Sequence, residues 1–164
     1  MSQITFGYSD SEDRVWLAST GGTRFWLTRR LVNGLLRPTC DLLEKTVPGG
    51  DVPNALPASQ RIAIEHEESL ADSPEGLPAI EKNKETRGAG NAPVKPPALV
   101  TIVTVQADAS RCAWIVTAAA KPARIEVNRL EFHRLLAALY RTAEAAGWGL
   151  ANLPGWLTGR PRPD

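Results

Sequence analysis

The side chains with most chemistry to offer are two histidines, two cysteines and a set of arginines at the start of two helix-like stretches. His66 lies in the acidic run Glu65-His66-Glu67-Glu68, and His133 lies one helical turn after Arg129. A metal site needs several nitrogen, oxygen or sulfur ligands to converge. No HxxxH, HExxH or paired CxxC spacing offers such a set. His66 therefore reads as part of a solvated charged run, and His133 as a surface helix residue. No GxSxG motif is present, and Cys40 and Cys112 read as reduced, half-buried small hydrophobes. Thr20-Gly21-Gly22-Thr23 separates two apolar runs, and no Gly-Lys-Ser/Thr follows it. That makes it a hairpin turn rather than a phosphate loop. The expectation is a protein that is not an enzyme and takes no metal or cofactor.

The arginines point elsewhere. Arg29 and Arg30 open the first helix and Arg129 opens the second. A helix N-terminus is already partly positive, so arginine there is mildly unfavourable and the spot suits an anion. Arg37 and Arg134 continue basic faces along the two helices. Trp16, Trp26 and Trp114 fall on strands, and Trp148 and Trp156 fall in the C-terminal tail. Aromatic side chains beside arginines are how many proteins stack single-stranded bases. Trp26 sits between Phe25 and Leu27, so its strand is bulky on both faces and needs a cover on each. A partner surface or a second copy would supply the missing cover. Together with Arg24, these residues (Trp26, Arg29, Arg30, Arg37, Arg129, Arg134 and Trp156) form the candidate binding surface.

The elements that carry them follow from periodicity. Ile4–Tyr8, Arg14–Ala18 and Arg24–Leu27 read as strands, and Thr28 has N-cap chemistry for a helix bearing Leu31, Leu35 and Leu42. Pro38 should kink or interrupt that helix. Leu99–Val105, Cys112–Ala118 and Arg124–Val127 read as three further strands, with Lys121-Pro122 as a turn. Asn128 and Glu131 form a capping box, and Gly147 stops the helix that follows. The two halves match in register one hundred residues apart: Arg24 with Arg124, Arg29 with Arg129, Leu35-Leu36 with Leu135-Leu136. The expected fold is α+β, with duplicated βββα units over 1–46 and 98–147. They would form one antiparallel sheet with both helices on one face. The stretch 47–97 is acidic, rich in proline and glycine and free of aromatic residues, and reads as a disordered linker. Residues 148–164 form a tail, apolar and then basic.

The whole chain has 164 residues and a formal net charge of +1. An acidic middle separates mildly basic ends. This balance argues against a bulk electrostatic nucleic-acid binder. No run approaches the length of a membrane-spanning helix, and no secretory signal pattern opens the sequence, so the cytoplasm is the expected location. The plan is shared in outline by several single-stranded nucleic-acid-binding folds, a likeness of element order that does not establish function. Two functions fit. One is an accessory or scaffold protein that binds a protein partner or itself through a sheet face or the tail. The other is a module for single-stranded nucleic acid.

Overall fold

Alternation of large apolar residues builds the strands, and the two leucine-rich stripes build the helices that cover them. The computed structural model describes residues 4–19, 23–71, 80–82 and 96–160, the short piece 80–82 as backbone. In chain order the elements are β1 (Thr5–Ser9), β2 (Arg14–Ala18), β3 (Arg24–Thr28), α1 (Arg29–Lys45), α2 (Ala58–Ala71), β4 (Ile80–Lys82), β5 (Ala98–Ala107), β6 (Arg111–Ala118), β7 (Lys121–Asn128), α3 (Arg129–Ala145) and α4 (Gly155–Thr158). The fold is α+β, as the sequence predicts.

The sheet is mixed, which corrects the expectation of one antiparallel sheet. β1, β2 and β3 form one antiparallel meander, and β5, β6 and β7 form another. They join through a parallel contact between β3 and β5, at Phe25–Ala98 and Trp26–Leu99. Short β4 adds in parallel at the far side of β1. Parallel neighbours need a long crossover, and the connection from β3 to β5 carries two helices. Val15, Leu17, Phe25 and Leu27 point to the core, while Trp16 and Trp26 oppose each other on the other face. Helix α1 lies against β3 and β5, and α3 lies against β1, β6 and β7.

Caps form as their chemistry predicts. Thr28 Oγ1 accepts from the Leu31 amide at 3.2 Å and Asn128 Oδ1 from the Glu131 amide at 2.8 Å. Gly147 takes φ +73° and closes a Schellman motif, with Trp148 N donating to Ala143 O and Gly147 N to Glu144 O. That turn delivers Trp148 into the core, where its indole Nε1 donates to Asp13 Oδ1 at 2.9 Å.

Three local expectations change. Helix α1 runs through Pro38 without interruption. The β6–β7 turn is Ala119-Ala120, both at positive φ (49° and 60°), and Lys121-Pro122 already belongs to β7. Pro122 is tolerated there because β7 has a single strand partner among the described residues. The turn at Thr20–Gly22 lies outside the described residues. The presumed linker changes most, because Ala58–Ala71 is the helix α2, packed on α1, α3 and α4. Its buried stripe is Ile62, His66 and Ser69, so it docks through a polar seam rather than a greasy one.

Candidate functional site

Two regions stand out: a buried charged network around α2, and the outer face and edge of the sheet at β5. The network begins with Arg129, at the first position of α3 and 4% exposed. Its Nε donates to Glu65 Oε1 at 2.7 Å and its Nη2 to Glu65 Oε2 at 2.9 Å, a bidentate pair. Nη2 also donates to Leu43 O, and Nη1 to Thr46 Oγ1 and Asp108 O. These contacts use all five guanidinium donors. Arg129 thus ties the end of α1, the middle of α2 and the β5–β6 turn to the start of α3.

Glu65 passes the network on. Its Oε2 lies 3.1 Å from His133 Nε2, and His133 Nδ1 lies 3.1 Å from His66 Nδ1. Burial alone would raise the Glu65 carboxyl, but hydrogen bonds from Arg129 and His133 outweigh it and hold it at about 2. An ionised carboxylate only accepts, so His133 donates from Nε2. The facing Nδ1 atoms of His133 and His66 share one hydrogen between them, so one ring donates to the other. His133 is fully buried and His66 is 4% exposed, which overturns the surface readings of both. Burial first, then the neighbouring His133 and Arg141, pushes His66 down to about 4. A proton there would add a buried charge that the surroundings solvate poorly.

The rings also anchor the tail. Trp156, on α4, packs edge-on against His66 at 5.1 Å and His133 at 5.5 Å between centroids. His66, Tyr140, Arg141 and Trp156 line part of an open groove of about 890 Å³. The cysteine thiols play no part: Cys40 is pushed up to about 12 and Cys112 to about 11, in both cases chiefly by burial. Among the described residues no three His, Cys, Asp or Glu side chains converge as metal ligands would.

The second region is the outer sheet face. Gly7, Trp16, Trp26 and Leu99 stand in one row across four strands. The Trp16 indole lies directly over Gly7, where an added Cβ would fall 2.2 Å from the ring. Arg24 stacks on its ring, with the guanidinium carbon 5.1 Å from the centroid. Beyond this row β5 is open. Among the described residues it pairs with β3 only at Ala98 and Leu99, and with β6 along the rest of its length. A register shift at Thr101 marks a bulge, and Leu99 and Ile102 are 42% and 59% exposed. No charged residue occurs from Ala98 to Ala107.

The arginines and tryptophans singled out from sequence therefore occupy separate neighbourhoods. Arg24 and Trp26 belong to the outer sheet face. Exposed Arg29 and Arg30 start α1, and Arg30 lines the cleft between α1 and β5. Arg37 holds the tail, with Nη1 donating to Asn152 O at 2.7 Å and Nε 3.1 Å from Asp41. Arg134 Nε donates to Ser69 O at 2.6 Å near the C-terminal end of α2, where a cation suits the helix dipole. Arg129 and Trp156 sit in the histidine network. Glu65, His66 and His133 are the residues that sequence reasoning passed over.

No family model, curated protein or solved structure matches this chain. No helix among the described residues is long and apolar enough to cross a membrane.

Proposed function

We propose that this is a non-catalytic binding protein that receives an extended segment of a protein along the open edge of β5 and the adjoining outer sheet face. The observation that carries this reading is a long, uncharged strand with one edge unpaired beyond Leu99 among the described residues. An unpaired strand edge offers a row of amides and carbonyls to any extended chain. The tail is the weaker route, because Trp148 and Leu157 are buried in the chain's own core.

A protein ligand is favoured over single-stranded nucleic acid by the state of the rim. Glu126 takes up both Arg111, at 2.7 Å, and Arg124, at 2.6 Å. Arg24 lies on Trp16, whose ring is in turn packed on Gly7. Arginines already engaged within the chain and a covered Trp16 ring suit phosphate and base poorly. The free, buried thiols of Cys40 and Cys112 are in keeping with a cytoplasmic location.

We also infer that the two βββα halves are copies of one unit. α1 and α3 are both 17 residues long and start one hundred residues apart. Each lies against the first strand of the other half, α1 on β5 and α3 on β1. Superposing 11–40 on 111–140 in an experimental structure should align hairpins and helices at that offset; unlike topologies would end the idea.

The binding reading is tested by comparing what wild-type protein and an Ile102→Lys variant retain from untreated and from nuclease-treated host lysate. The expected result is a protein partner lost from the variant and indifferent to nuclease. A partner retained equally by both, or released by nuclease, would refute it.

A further inference from the structure

We infer that the open edge of β5 is covered by the same edge of a second copy, paired antiparallel about Thr104. The inference rests on the reading that this edge receives an extended segment, and it names the segment. The open stretch after the bulge runs from Thr101 to Ala107, and Thr104 is its midpoint. A two-fold axis there sets Val103 against Val105 of the partner subunit on the core-facing side. On the outer face it sets exposed Ile102 against Gln106 of the partner subunit. Val103 and Val105 already pack against the core at their own strand, so the pairing extends the core across the axis. This is the isologous geometry of most homodimers.

Charge supports a copy as the occupant. β5 has no charged residue to repel itself, and like charges directly opposed are what most often forbids self-pairing. The other edge of the same meander, on β7, carries Lys121, Pro122, Arg124 and Glu126, the residues that usually guard an edge. Self-pairing closes the unguarded edge and leaves the guarded one in solvent. Counted through the bulge at Thr101, it also sets Val100 opposite Ala107 of the partner subunit, both on the core-facing side. The cleft of about 570 Å³ between α1 and β5 begins there, and Arg30 lines it. Among the described residues β3 pairs no further along β5 than Leu99, and past it the start of α1 borders the cleft that the partner's strand would enter.

The test is a charge swap on the axis. Thr104 is exposed, so Thr104→Lys and Thr104→Glu should fold as the parent does, which circular dichroism checks. Sedimentation equilibrium should show a wild-type dimer whose dissociation constant weakens by about tenfold or more in each variant alone. An equimolar mixture of the two variants should restore the dimer, because the axis then carries opposite charges. A monomeric wild type at high micromolar concentration, or a mixture no tighter than either variant, would overturn the inference. A synthetic copy of residues 98–107 with solubilising lysines at both ends separates the two levels. Peptide-induced amide shifts along Ile102–Gln106 in a monomeric chain would sink the dimer yet keep the receptive edge. No shift and no dimer would sink both.

Discussion

Replacing His66 with asparagine should flatten the response of this protein's stability to acid between neutral pH and about pH 4. In the folded chain His66 is neutral down to about pH 4, against an ordinary value of 6.5. The unfolded chain takes up that proton first, so between the two values it binds more protons and stability falls as pH falls. The contribution is fully present above 6.5 and is lost as the pH drops toward 4. Integrated over this window, the loss is about 2 kcal/mol by pH 5 and about 3 kcal/mol by pH 4. His66→Asn keeps an N–H donor near the Nδ1 position, able to reach His133 Nδ1 now 3.1 Å away, but it cannot titrate. The assay is equilibrium urea unfolding followed by tryptophan fluorescence at several pH values. A constant offset from the smaller side chain is expected at pH 7. What matters is the difference between the curves, which should close by about 2 kcal/mol at pH 5. Parallel curves for wild type and variant would refute the reasoning, because they would mean that His66 takes its proton in the folded state as readily as in water. Glu65 adds a separate loss at lower pH, between its ordinary 4.5 and about 2.

Other perturbations probe other joints. Glu65→Ala strands the buried Arg129 charge and should cost about 3–5 kcal/mol, whereas Glu65→Leu with Arg129→Met should recover most of that loss in the same urea assay. Ala119-Ala120→Asn-Gly relieves two alanines at positive φ and should stabilise the chain by about 1–2 kcal/mol, read as a raised unfolding midpoint. Gly7→Ala drives a methyl into the Trp16 ring and should cost about 1–3 kcal/mol with a change in indole emission; an unchanged emission spectrum would contradict the stacked geometry.

The strands and the two long helices were legible because their cores are apolar at the right period. Val15 and Leu17, Phe25 and Leu27, Leu35, Leu36 and Leu43 of α1, and Leu135, Leu136 and Leu139 of α3 are buried as their spacing predicts, whereas Leu31 and Leu42 are only half-buried and Leu130 is exposed. Element order was therefore readable, and pairing direction was not. Antiparallel meanders come from short turns that leave local signals, whereas the parallel β3–β5 contact depends on how a distant crossover lands. The Ala119-Ala120 turn was unreadable for another reason: alanine is a poor residue for the left-handed region, and only the strength of the flanking strands puts it there.

Helix α2 shows where hydrophobic pattern stops carrying information. Its buried positions Ile62, His66 and Ser69 fall at the i, i+4, i+7 spacing of a core-facing stripe, yet two of the three are polar. A window that counts apolar residues sees charge and prolines and returns a linker. What buries α2 is satisfaction of polar groups at the other end of the chain: His133 beneath His66, Arg129 beneath Glu65 and Arg134 at Ser69. The sequence held one clue of the right sign. An arginine at the start of α3 sits against the helix dipole, so an anion belongs beside it. That anion is Glu65, 64 residues upstream on α2, and the same pairing that satisfies Arg129 converts a charged run into a structural helix. It also leaves Arg129 without a donor for any external phosphate. The clue to a ligand was thus a clue to folding, and the partner surface proposed above lies elsewhere, on the uncharged edge of β5.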